Sequence, residues 1–139
     1  MGFAAKFLMM ASAGIILVLG TLHLIYTFHG PKLRPRDPAL QAAMKEVHPV
    51  ITRQTTMWRA WMGFNVSHSM GAILFGLIYG FLALYHAELL FQSVYLLAVG
   101  FVMLAGLFVL GRIYWFRTPF IGITISLACY VISILSAWA

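Results

Sequence analysis

The sequence predicts an all-α integral membrane protein: a four-transmembrane-helix bundle with a short amphipathic interfacial helix in its first loop. Three observations predict it. Charged side chains make up only 9 % of the 139 residues, where soluble domains carry roughly 25 %. The hydrophobic fraction is 63 % and the mean hydropathy +0.94. The 12 charges are also segregated, because residues 7–31, 60–87, 89–111 and 118–139 contain no Asp, Glu, Lys or Arg. About 20 apolar residues rising 1.5 Å each cross a hydrocarbon core of roughly 30 Å, so each tract spans once. Spans are expected at residues 7–28, 58–84, 91–114 and 119–138. A single domain covering residues 1–139 follows, with no room for a separate soluble one.

Span one opens with Lys6 ahead of an apolar run, as a signal peptide would. The run continues to Phe28, long enough to span, so the segment is expected to be retained. The first connection, residues 31–59, carries Lys32, Arg34, Arg36, Lys45, Arg53 and Arg59. Within it, Asp37 followed by Pro38 reads as an N-cap and a first helical residue. Leu40, Ala43, Met44 and Val47 then recur at helical spacing until Pro49. This predicts a short amphipathic helix on a membrane surface. The preceding Lys32, Arg34 and Arg36 would lie near anionic headgroups of the inner leaflet, each contributing on the order of 1 kcal/mol.

Thr52 or Thr55 is expected to cap span two. Spans two and three are joined by a short stretch near Tyr85–Phe91 and should form a tight antiparallel hairpin. Thr118–Pro119 repeats the cap-then-proline pattern at the start of span four. With four spans, connections one and three share a side. Together they hold eight of the nine cations, with Arg112 and Arg117 in the third; only Lys6 lies opposite. By the positive-inside rule both termini are expected outside, with loops one and three cytoplasmic. Trp58, Trp61 and Trp115 then fall at the inner interface and Trp138 at the outer one.

Composition excludes several functions. The net charge of +6 comes without a basic domain bearing base-stacking aromatics, so no nucleic-acid partner is expected. The lone Cys129 has no intrachain partner. No carboxylate lies mid-membrane, which disfavours a carboxylate proton or cation relay. Neither a nucleophile–base arrangement nor a phosphate loop is present, so no catalytic residue is assigned.

Span two carries the most information. Trp61, Asn65, His68, Ala72, Gly76 and Gly80 recur every three or four residues and share one helix face. Ala72, Gly76 and Gly80 form a small-residue packing face that lets another backbone approach closely. Asn65 and His68 sit at membrane depth, where polar groups must face partners. His23 of span one is the natural partner. Counted from the inner ends of their spans, His23 lies about 7 Å deep and His68 about 10–14 Å deep.

Two readings of these residues stand side by side. In one, His23, Asn65 and His68, with nearby Ser67 or Thr27, form a structural polar network and no cofactor is expected. In the other, His23 and His68 bind haem b as axial ligands, or contribute to a copper site. Among the other histidines, His29 ends span one and His48 lies in the loop. His86 with Glu88 makes an H-x-E at the outer hairpin, read as a solvated tip; no metal site is assigned. Ser126, Cys129, Ser133 and Ser136 make a small-polar packing stripe on span four.

The segments Gly20-Thr21-Leu22-His23-Leu24-Ile25-Tyr26-Thr27-Phe28 and Gly63-Phe64-Asn65-Val66-Ser67-His68-Ser69-Met70-Gly71 resemble those of small uncharacterised four-span bacterial membrane proteins. The Phe116-Arg117-Thr118-Pro119 approach to span four is similar too. In size, in the Leu84-Tyr85-His86 hairpin and in the Trp138 ending, the chain is also similar to the four-span scaffold that tethers sterol-biosynthesis enzymes. Both resemblances imply a non-catalytic role. The sequence thus points to an accessory or scaffold subunit of the bacterial inner membrane, packing against other membrane-protein subunits or itself. The alternative is a haem or small-ligand protein working through His23 and His68, and a lipid binder is a third.

Overall fold

The computed structural model describes residues 2–138, and its long helices follow the charge gaps. Helices α1 (Phe3–Phe28), α3 (Met57–Tyr85), α5 (Val94–Tyr114) and α6 (Arg117–Trp138) are each long and apolar enough to cross a membrane. Two short helices, α2 (Pro38–Glu46) and α4 (Ala87–Gln92), lie in the first and second connections. Among the described residues there is no strand.

The helix ends depart from the charge gaps by up to five residues. Helix α1 begins at Phe3, so Lys6 lies inside its first turns. A lysine near a helix end extends its stem along apolar surface with the ammonium in water, so it need not stop the helix. At the other end, His29 N–H bonds the Ile25 carbonyl, and Gly30 follows at φ +82°. Only glycine takes that left-handed turn without strain, and Pro31 cannot resume the helix. Helix α2 is capped by Asp37, whose side chain accepts from Ala39 N–H at 2.9 Å.

Span two is capped by Thr56 rather than Thr52 or Thr55: its Oγ1 accepts from Arg59 N–H, three residues on. Thr52 instead braces the loop by accepting from Gln54 N–H. Span three begins at Val94, not 91, because Ser93 caps it by accepting from Leu96 N–H. Span four begins at Arg117, which puts Pro119 inside the first turn, where its missing N–H would have had no partner.

The chain divides into two compact units, Met1–Leu19 with Ala72–Ala139, and Gly20–Gly71. In the first, all four spans contribute a buried face at three- and four-residue spacing. These faces are Ala5, Met9, Ser12, Ala13 and Ile16 of α1; Ala72, Phe75, Tyr79 and Ala83 of α3; Leu97, Leu104 and Leu107 of α5; and Ile123, Ser126, Tyr130 and Ser133 of α6. The serines in this core are all bonded. Ser126 Oγ donates to the Ser12 carbonyl at 3.0 Å and so accepts from Ser12 Oγ at 2.9 Å. Ser133 Oγ donates to the Ala5 carbonyl at 2.7 Å. The stripe on span four therefore splits: Ser126 and Ser133 are buried against α1, whereas Ser136 is exposed and Cys129 is half-buried and free.

Candidate functional site

The second unit contains the C-terminal third of α1, the first connection and the first half of α3, and it brings the polar membrane-depth residues together. Asn65 is buried, and its Nδ2 donates to the Trp61 carbonyl at 2.8 Å, one turn earlier. That bond fixes which way the carboxamide points. Its Oδ1 faces His23 Nε2 at 2.9 Å. An amide oxygen only accepts, so the His23 proton is on Nε2. Thr27, buried on the same helix, donates its hydroxyl to the His23 carbonyl at 2.8 Å. His68 meets His23 edge to face, with ring centroids 5.2 Å apart and planes at 78°.

The network includes one residue the spacing argument had not selected. Ser69 is fully buried and donates to the Asn65 carbonyl at 2.8 Å. Ser67, the expected member, faces outward and bonds only its own helix, at the Phe64 carbonyl. Helix geometry could have separated them: two residues from Asn65 is about 200° of turn, whereas four is about 40°.

His23 is thus joined to Asn65 by a hydrogen bond and to His68 by a ring contact. Ligation of an iron through His23 Nε2 would require the Asn65 bond to break, whereas Nδ1 keeps its lone pair while that bond stands. For His23 and His68 to share one iron, the rings would have to turn from edge-to-face contact until a nitrogen of each faced a common centre.

The small-residue face lies in the first unit, and its three members differ. Ala72 is buried. A Cβ at Gly76 would sit 2.9 Å from both the Ala13 carbonyl oxygen and the Leu17 Cα, so α1 and α3 touch there backbone to backbone. At Gly80 the nearest atom, Ala13 Cβ, is at an ordinary 3.8 Å. A second close contact was not legible in the sequence. Gly100 of α5 lies under the Tyr79 ring and the Tyr130 hydroxyl. Tyr79 donates to the Leu96 carbonyl at 2.6 Å, and Tyr130 to the Leu97 carbonyl at 2.8 Å. Phe75 stacks on Tyr79 with centroids 4.5 Å apart.

The other candidates make contacts of their own. His86 caps α4 by position but makes no side-chain capping bond, and it lines an open hollow of about 390 Å³ with Lys6, Tyr85 and Glu88. His48 donates from Nδ1 to the Thr55 carbonyl at 2.7 Å and braces its loop. Trp61 Nε1 donates to the Leu33 carbonyl, and Lys32 lies 3.8 Å over the Tyr26 ring.

The chain matches no protein-family model, and no curated protein or solved structure is significantly similar to it. The fold and site define a multi-pass, all-helical membrane protein with a half-buried imidazole–amide network.

Proposed function

We propose that this is a non-enzymatic protein of the bacterial inner membrane, an accessory or scaffold subunit that packs against a larger membrane complex. The observation that carries the reading is on the outward face of α3. Gly63 and Ser67 are exposed one turn apart, half-buried Gly71 follows at the same spacing, and nothing lies within 4 Å of where a Gly63 Cβ would be. Small residues repeating every four positions let a second helix approach closely, and helix association in lipid depends on that approach. The face at Gly76 is already occupied by α1, which leaves the Gly63 stripe for a partner. The spans supply ample further surface: at most 33 % of the most apolar stretch of any span is buried.

The test is affinity purification after gentle solubilisation, followed by native mass spectrometry. The reading expects a stoichiometric membrane-protein partner that is lost on Gly63→Leu while the variant still melts like the parent. A strictly monomeric species with no co-purifying protein counts against it. The absorption spectrum of the same preparation addresses haem b at His23 and His68: a Soret band that disappears in His68→Leu would replace the scaffold reading with a redox one.

A further inference from the structure

The first connection contains a feature that its charge alone does not explain. After α2, the chain from Val47 to Met57 is closed at its base. Met57 N–H bonds the Val47 carbonyl at 2.8 Å, and His48 Nδ1 bonds the Thr55 carbonyl at 2.7 Å. At its tip, Thr52 N–H reaches back to the Pro49 carbonyl at 3.2 Å, which makes Val50 and Ile51 the central residues of a β-turn. Central turn positions favour Pro, Gly, Asn and Asp, yet this turn holds two branched aliphatics. They are the two most exposed large apolar residues described, at 109 % and 92 %. Leu40 and Val47 are also more than half exposed, and no residue of α2 is buried.

A braced loop that projects two aliphatic side chains has an uncovered apolar surface, and such surfaces mark contacts with lipid or protein. Charge decides between the two. The connection carries Lys32, Arg34, Arg36, Lys45, Arg53 and Arg59 against only Asp37 and Glu46. It is also tied at both ends to membrane-spanning helices, which holds it at the bilayer surface. We infer that the Pro49–Thr52 turn is a membrane-inserting finger: Val50 and Ile51 enter the acyl boundary of an anionic leaflet while the surrounding cations bind lipid phosphates. Apolar insertion and cation–headgroup attraction reinforce each other in interfacial binding. The two base hydrogen bonds order the loop beforehand and so reduce the entropy lost on insertion. The inference rests on the membrane assignment but not on the scaffold reading or on which side is cytoplasmic.

Hydrogen–deuterium exchange of the full chain tests it, in nanodiscs of phosphatidylcholine alone and in nanodiscs containing phosphatidylglycerol. Both leaflets are then alike, so orientation does not enter. The Val50–Thr52 amides are expected to exchange on the order of tenfold more slowly in the anionic discs. That protection should be lost in the Val50→Ser/Ile51→Ser double variant and weakened by Arg53→Gln or by high salt. Both sites are exposed, so the variants should melt like the parent, which a thermal scan checks. Fast exchange in the anionic discs, equal in parent and double variant, overturns the finger and leaves the tip to a protein partner. Equal slow exchange in both lipids overturns the anionic selectivity.

Discussion

A single carboxamide, that of Asn65, sets the proton of a histidine 42 positions earlier in the chain, because its own orientation is already fixed by the Trp61 carbonyl. Removing it therefore does more than delete one contact. Asn65→Leu leaves the His23 Nε2–H without its acceptor at membrane depth, and such an unmade bond costs about 1–2 kcal/mol. Ser67→Ala, two positions away and outward-facing, should stay within about 0.5 kcal/mol of the parent. Thermal melting of both variants in one detergent measures the difference; equal melting would remove the network as a stabilising contact. The sequence made Asn65, His68 and His23 legible because polar side chains are rare at membrane depth and must converge. It did not reveal the edge-to-face pairing or the amide's direction, which depend on how far each helix is rotated about its own axis.

At the scale of elements, four spans were readable from four charge-free tracts, but their ends were not. Helices continue past a lysine at Lys6 and begin on an arginine at Arg117, so charge marks the water boundary only loosely. Helix α4 was hidden for another reason: Ala87–Gln92 is too short for a period to emerge from its apolar neighbours. Periodicity gives each helix its buried face but not which neighbour meets it, so the Tyr79–Tyr130–Gly100 contact was out of reach. The same limit applies to Ala72, Gly76 and Gly80, whose shared face was evident although their unequal closeness to α1 was not. That inequality gives a prediction. Gly76→Ala forces backbone apart at Ala13 and Leu17, which overpacking data put at about 1–3 kcal/mol. Gly80→Ala meets only ordinary contact and gains helix propensity, so it should be neutral or slightly stabilising. Melting curves of the two variants should separate, and an equal loss in both would refute a backbone contact centred on Gly76.

For the whole molecule, the distribution of charge bears on orientation in a way the packing does not. An even number of spans puts both termini on one side, together with the second connection and Lys6; the other side receives the remaining eight cations. The first connection is under 60 residues long, short enough for its charges to count in insertion, and it supplies six of the eight. Reporter fusions at the C-terminus and after Glu88 should therefore both read as external, and fusions after Lys45 as cytoplasmic. The rule also predicts how orientation responds when charge is removed. Changing Lys32, Arg34 and Arg36 to Gln leaves five cations against one, and the orientation should hold. Neutralising all six in the first connection leaves only Arg112 and Arg117 against Lys6, and the chain should insert both ways, with each reporter giving a mixed signal. A C-terminus that reads as cytoplasmic in the parent would overturn the orientation outright. A single unchanged orientation after all six are neutralised would show that the first connection does not set it.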